Sequence, residues 1–159
     1  MPETQHAAAA EIEQLKQLLL AANNQFAQGD ATPLQEVCSH REDVTLFGGA
    51  SGYEHGWEQV GPRYRWASAS FSGGQMTSHV LATQVAADLA CTVELERWDV
   101  RLASTGAAAT IELRVTQVYR REEGSWKLIH RHADRLAPQG QVDSLVEQEC
   151  AQSLFFYPL

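Results

Sequence analysis

Four long stretches between Gln75 and Leu136 alternate apolar and polar residues with a period of two, and this pattern constrains the fold most strongly. The stretches are Gln75–Val85, Leu89–Ala103, Ala108–Arg121 and Trp126–Leu136, with short turn-forming segments between them. A period of two is typical of β-strands, and tight turns between strands favour antiparallel pairing. The pattern therefore predicts an antiparallel meander whose long strands must bend to cover a core.

Three helices are predicted ahead of these strands. Residues 7–28 carry apolar side chains at helical spacing, and Trp57–Phe71 forms a second stripe of this kind. Between them, Thr32 followed by Pro33 resembles a capping box that opens a short helix. A short strand, Asp43–Phe47, and the glycine-rich loop GGASGYEHG complete this half. The order of elements predicts an α+β fold with helices packed on one face of a curved sheet.

Composition and charge exclude several classes of partner. The net charge is −8 with only 12 Lys and Arg residues, so we expect no nucleic acid and no anionic membrane surface as a partner. The three cysteines are far apart in the sequence and predict neither a disulfide framework nor a Cys-rich metal site. The start of the chain lacks a signal-peptide pattern, and no apolar run could span a bilayer. We therefore expect a cytoplasmic protein without a cofactor.

Two segments divide the chain. Residues 7–136 predict one domain, and residues 137–159 form a C-terminal extension that ends in an apolar cluster, LFFY, over Leu154–Tyr157. Such a cluster is costly to leave in water. We therefore expect the extension to dock on its own domain or on a partner copy.

Three motifs carry a family resemblance. The stretches HREDVTLFGGASGYEHGWEQVG, DLACTVELERWDV and ELRVTQVYRREEGSWKLIHRHAD resemble the NTF2-like superfamily, and within it the SnoaL-like and ketosteroid-isomerase-like proteins. The kinase association domain is a similar branch. The resemblance implies an NTF2-like cone, in which three N-terminal helices pack on a strongly bent antiparallel sheet. It also implies a pocket at the wide end of the cone and a homodimer formed through the outer face of the sheet.

The stretch TVELERWDV predicts part of that pocket. Glu94, Glu96 and Trp98 occupy alternate positions and so share one face of a strand. If this face meets the face of the next strand that carries Arg114 and Thr116, Glu96 and Arg114 form a buried ion pair that orients polar ligands. The alternative is a cross-strand ion pair that only stabilises the sheet.

The motif HRHAD allows three interpretations. His130, His132 and Asp134 share a face, predicted to be that of Trp126 and Leu128, and could ligate a metal or supply a general base. We favour the third interpretation, a structural role at the dimer face or the sheet edge, and predict no metal. Arg131 would then enter the pocket beside Arg114 and make it cationic, which suits a carboxylate or an enolate.

Two aromatic residues that flank the glycine-rich loop, Tyr53 and Trp57, are expected at the pocket mouth. The predicted ligand-binding residues are Tyr53, Trp57, Glu94, Glu96, Trp98, Arg114, Thr116, His130, Arg131 and His132. No residue is assigned a catalytic role. One hypothesis is a protein that binds a small hydrophobic or anionic ligand, as an isomerase, cyclase or dehydratase that acts on a hydrophobic carbonyl compound by acid–base chemistry. The alternative is a non-catalytic dimerisation or ligand-sensing domain.

Overall fold

A computed structural model describes residues 2–140, with three helices and six strands. The elements are α1 (Pro2–Phe26), α2 (Thr32–Val37), β1 (Thr45–Phe47), β2 (Glu54–His55), α3 (Trp57–Ser68), β3 (Phe71–Val85), β4 (Leu89–Leu102), β5 (Ala108–Glu122) and β6 (Ser125–Arg135). The predicted α+β class, the helices and the four long strands are confirmed, whereas the two-residue β2 was not predicted. No helix in this range is long and apolar enough to cross a membrane.

All six strands form a single sheet in the order β2-β1-β6-β5-β4-β3. The four long strands pair antiparallel with their neighbours, as predicted. The pairing of β1 with β6 is parallel and was not predicted. This pairing brings Leu46 and the start of the glycine-rich loop beside Arg131 on β6.

The sheet is irregular at three places where one strand carries extra residues. Two register shifts lie in β3, between Phe71 and Gly74 and between Val80 and Ala82. Gly74 has a φ of +127°, and a Cβ atom there would lie 2.3 Å from the carbonyl oxygen of Asp99. The third shift lies between β5 and β6, where Ile129 is the extra residue. Such bulges bend a strand and reverse the side-chain alternation beyond them.

The core lies between α1 and the concave face of the sheet. α1 buries Ile12, Leu15, Leu19 and Ala22 at helical spacing. At its C-terminal end, the ring of Phe26 contacts the rings of Tyr64, Phe71 and Trp98, with centroid separations of 5.8–6.3 Å. The aromatic cluster therefore joins α1, α3, β3 and β4 at one end of the core.

The start of α2 differs from the sequence prediction. Ala31 is the N-cap residue and has no side-chain cap, so the predicted capping box at Thr32 is wrong. The carboxylate of Asp30 instead accepts a hydrogen bond from the backbone N–H of Thr32 at 2.9 Å. Pro33 does lie in the first turn, where a missing N–H costs nothing.

The beginning of the C-terminal extension, residues 137–140, has neither helical nor strand structure. The rest of the extension, including the apolar cluster, lies outside the described residues. Its docking remains a prediction.

Candidate functional site

A cavity of about 190 Å³ lies between the concave face of the sheet, α1 and α3. Its walls are apolar and aromatic: Phe26, Leu34, Leu46, Tyr64, Phe71, Trp98, Ile111 and Leu113. The polar side chains of Asn23 and Arg131 also line it. Its rim is formed by Gly48, Gly49, Ala50, Arg63, Trp66 and Ala67. A mainly apolar cavity with a few polar groups is the usual form of a small-molecule site.

Arg131, which forms a buried ion pair with Glu96, supplies the polar floor of this cavity. Arg131 donates two parallel hydrogen bonds to Glu96, from Nη1 to Oε1 at 2.8 Å and from Nη2 to Oε2 at 2.7 Å. Trp98 donates from Nε1 to Oε2 of Glu96 at 2.8 Å. Glu96 and Arg131 are only 2% and 8% exposed. The three side chains are therefore held in a fixed geometry, since charge-assisted bidentate pairs are strong and directional.

Arg131 keeps its positive charge. Burial disfavours the charge on Arg131, but the attraction of Glu96 and its hydrogen bonds outweigh burial and raise the pKa of Arg131. A guanidinium has five N–H donors, and the structure gives Arg131 two bonds, both to Glu96, within residues 2–140. Donors of Arg131 thus remain for a molecule in the cavity.

Tyr64 supplies a neutral hydroxyl in the cavity wall. Burial raises the pKa of its hydroxyl well above 10, so the hydroxyl keeps its proton. Cys38 lies beside it, and burial raises the pKa of this thiol to about 12. Cys38 is therefore a neutral packing residue, since only a thiolate is nucleophilic.

The expected pair between Glu96 and Arg114 is wrong. Glu96 lies opposite Leu113 in the sheet register, which places Arg114 on the outer face. There Arg114 binds Asp134 with two hydrogen bonds, of 2.9 and 2.5 Å, and these side chains are 62% and 44% exposed. Thr116 shares this outer face, since Gln117 beside it is buried. Neither Arg114 nor Thr116 lines the cavity.

The predicted face of the HRHAD motif is also wrong, because Ile129 is a bulge residue. Before the bulge Leu128 is buried, and after it the buried residues are Arg131 and Ala133. His130 and His132 therefore lie on the outer face. Thr45 Oγ1 lies 2.7 Å from His130 Nδ1, and burial together with the charge of His132 lowers the pKa of His130. Within residues 2–140 no three His, Cys, Asp or Glu side chains are grouped to hold a metal ion.

The two aromatic residues expected at the mouth lie elsewhere. Trp57 stacks on His40 at a centroid distance of 3.8 Å, and Tyr53 lines a groove on the outer face together with His132. The rim is instead organised by Arg63, which lies 4.1 Å above the ring of Trp66 and donates to the carbonyl oxygen of Ser51 at 3.1 Å. Arg63 thus ties α3 to the glycine-rich loop.

Of the residues expected in the pocket, Trp98 and Arg131 line the cavity and Glu96 is bonded to both of them. Glu94 shares the inner face but lines a neighbouring cavity. Sequence reasoning missed Asn23 and Arg63, and for Tyr64 it preferred core packing over a role as a hydrogen-bond donor. Helical spacing placed Tyr64 on the buried face of α3, but no sequence signal separates a cavity wall from a filled core.

Comparisons with known proteins agree with this fold. The model of the SnoaL-like domain matches residues 15–136. No curated protein matches the chain. An NTF2-like superfamily protein from Salmonella enterica serovar Typhimurium has a similar structure, with a TM-score of 0.72 and 17% identity over 87% of this chain and 97% of that one.

Two further solved structures carry different functional names. A ketosteroid isomerase-like protein from Erwinia carotovora has a TM-score of 0.67 and 19% identity over 81% of this chain and 96% of that one. A proposed calcium/calmodulin-dependent protein kinase type II association domain from Thiobacillus denitrificans has a TM-score of 0.65 and 18% identity over 79% and 94%. At such identities the likeness concerns the fold alone. Because the family model matches most of the chain, the protein belongs to the SnoaL-like domain family, within the NTF2-like fold.

Proposed function

We propose that this protein binds a small, mainly apolar molecule that carries a neutral hydrogen-bond acceptor, such as a ketone carbonyl. The observation that carries the proposal is the buried Arg131–Glu96 pair at the floor of an otherwise apolar cavity. The aromatic walls would hold the apolar body of the ligand. The remaining N–H donors of Arg131 would hold its oxygen atom.

Charge compensation favours a neutral ligand over an anion. Glu96 neutralises Arg131 within hydrogen-bond distance, so this pair offers donors without net positive charge. The second arginine that would have made the site cationic, Arg114, lies on the outer face. An anion would have to lose its water without gaining a net opposite charge, and this cost is large in a buried site.

The same groups support carbonyl recognition better than proton abstraction. Arg131 and Tyr64 can donate to an oxygen and would stabilise negative charge that develops on it. A general base must have a free lone pair within reach of the proton. Both oxygens of Glu96 already accept hydrogen bonds, and the described lining itself contains no carboxylate and no imidazole. Ligand binding is therefore the primary proposal. An isomerase, cyclase or dehydratase activity would need Glu96 to give up one of its hydrogen bonds so that its carboxylate could accept a proton.

The outer face of the sheet favours a second role, self-association. Val93 is 38% exposed at the centre of β4, and Leu95 and Val118 beside it are half-buried. An apolar patch of this kind on an open sheet face is unusual for a surface that meets only water. We propose that a second copy of the chain covers it and forms a homodimer.

Titration with cyclohexanone, followed by ¹⁵N–¹H NMR, tests ligand binding. The indole N–H of Trp98 should shift because Trp98 lines the cavity and donates to Glu96. The indole of Trp126, which donates to Glu11 at 2.8 Å outside the cavity, is the internal control and should not shift. A Trp98→Phe variant assigns the signal. Cyclohexanecarboxylate, an anion of similar shape, should bind more weakly than cyclohexanone. Equal shifts at both indoles, or tighter binding of the anion, would contradict the proposal.

A further inference from the structure

A second cavity of about 200 Å³ lies further along the concave face, between α1 and strands β3–β5. Leu19, Met76 and Val80 supply apolar wall, and Glu94 and Gln117 are among its polar residues. Its volume is far above the roughly 10–15 Å³ that a single water molecule requires. Asn23 lines both this cavity and the one described above, so the two are neighbours across α1.

Glu94 is a buried carboxylate without a cationic partner. It is 7% exposed, and its oxygens accept from Gln117 Nε2 at 2.5 Å, from Thr92 Oγ1 at 3.1 Å and from the hydroxyl of Ser78. All three donors are neutral. Lys16, which also lines this cavity, binds Glu13 at 2.8 Å. Within residues 2–140, no cation lies within ion-pair distance of Glu94.

Glu96 provides the contrast on the same face of the same strand. Glu96 has Arg131 as its counter-ion, whereas Glu94 two residues away has only neutral donors. Removing a carboxylate from water is costly unless a positive charge compensates for it. Within the described residues, Glu94 therefore lies at the wall of a cavity with neutral hydrogen-bond donors and with no cation within ion-pair distance.

Asn23 is a second feature, separate from Glu94, that favours a ligand in this cavity. The residue is 4% exposed, and its side-chain amide has no hydrogen-bond partner among the described residues. The next residue, Asn24, uses both ends of its amide, donating to the carbonyls of Leu20 and Met76 and accepting from the Met76 N–H. Buried polar groups are nearly always satisfied. The amide of Asn23 lines both cavities and makes no side-chain hydrogen bond within residues 2–140, so it can bond a molecule in either cavity.

We propose that the second cavity binds a small organic ammonium ion, such as a primary alkylammonium. Its charge would pair with Glu94, and one N–H would donate to the side-chain oxygen of Asn23. The alkyl part would pack on Leu19, Met76 and Val80. This site does not depend on the carbonyl ligand proposed for the first cavity, because neither Glu94 nor its donors line that cavity.

The test is a titration of the full chain with n-butylammonium chloride, with 1-butanol as the neutral molecule of similar size and sodium chloride as the ionic-strength control. ¹⁵N–¹H NMR of the side-chain amides of Asn23 and Gln117 reports on the site. We expect n-butylammonium to shift both amides and to bind at least about tenfold more tightly than 1-butanol. Equal affinities, or shifts confined to the Trp98 indole of the first cavity, would overturn the proposal.

Three variants test whether n-butylammonium binds in the second cavity. Glu94→Gln keeps the size of the side chain and removes its charge, so n-butylammonium affinity should fall at least about tenfold while cyclohexanone still shifts the Trp98 indole. Glu112→Gln, at an exposed glutamate bonded to Arg97 on the outer face, is the matched control and should change neither. Asn23→Leu leaves no charge unpaired and should also weaken n-butylammonium binding. This variant replaces Glu94→Gln as the test of the site if Glu94→Gln does not fold. Wild-type n-butylammonium affinity in the folded Glu94 or Asn23 variant would overturn the assignment.

Discussion

Replacing Arg131 by methionine while Glu96 is kept leaves a buried carboxylate without its counter-ion. The side chain of Glu96 is 0% exposed, so water cannot replace the guanidinium without a rearrangement. Breaking a buried ion pair in this way costs about 3–5 kcal/mol of unfolding free energy. Glu96→Gln should cost a similar amount, because it leaves the charge on Arg131 alone while Trp98 keeps an acceptor. Total stabilities of single domains are about 5–15 kcal/mol, so both losses are large.

The double variant Glu96→Gln/Arg131→Met has no unpaired charge, and its loss should therefore be smaller than the sum of the two single losses. We expect a coupling free energy of at least about 2 kcal/mol. Urea unfolding followed by far-ultraviolet circular dichroism measures all four free energies. In a heating experiment each single variant should lose about 6–20 °C of melting temperature.

The pair formed by Arg114 and Asp134 is a matched control. It has the same bidentate geometry and joins the same two strands, but its side chains are 62% and 44% exposed. The cycle of Arg114→Met and Asp134→Asn is measured in the Val93→Asp background, because the proposed dimer would cover this face. It should give a coupling of only about 0.2–1 kcal/mol. Equal coupling in the two cycles would refute the conclusion that Arg131, and not Arg114, is the buried partner of Glu96.

Three further predictions follow from other parts of the fold. If the outer sheet face forms the proposed homodimer, Val93→Asp should convert a dimer into a monomer by light scattering, because it places a charge at the centre of that face; a wild-type monomer would rule the dimer out. Gly74→Ala should lower the unfolding free energy by about 1–3 kcal/mol or more, since the φ of Gly74 is +127° and the backbone of Asp99 blocks the Cβ position. Gly48→Ala is the control, because a Cβ atom there would meet nothing within 4 Å, and its unfolding free energy should change by less than about 0.5 kcal/mol. The lowered pKa of His130 means that, as the pH falls, the unfolded chain takes up a proton near pH 6.5 before the folded protein does. The unfolding free energy should therefore decrease below this pH, and His130→Asn should reduce that decrease. An unchanged dependence of stability on pH in His130→Asn would contradict the prediction.

The sequence predicted the elements of the fold well because their periodicities are strong. The period of two in β4 correctly placed Glu94, Glu96 and Trp98 on one buried face. The same reasoning could not choose a face for β5, since Leu113 and Val115 alternate with Arg114 and Thr116, and each set suits either a cavity or an interface. Only the register, Glu96 opposite Leu113, decides between them.

The bulge at Ile129 limited the prediction of the last strand. Classifying residues by alternation assumes an uninterrupted strand, and neither glycine nor proline marks Ile129 as an exception. The extra residue reverses the faces between Leu128 and Arg131. Arg131 was expected inside only if the two histidines faced outwards, and the bulge is the physical reason why they do. The cavity rim at Arg63 and Trp66 depends on long-range contacts to the glycine-rich loop, which local patterns do not encode.

The central claim is that the Arg131–Glu96 pair marks the ligand site, and a crystal structure of the protein grown with cyclohexanone tests it most directly. We predict that the ketone lies against Trp98 and Phe71 in the first cavity. Its oxygen should lie about 2.7–3.2 Å from an N–H group of Arg131. Cyclohexanone bound instead in the outer groove that Tyr53 and His132 line, with the first cavity unchanged, would contradict the claim.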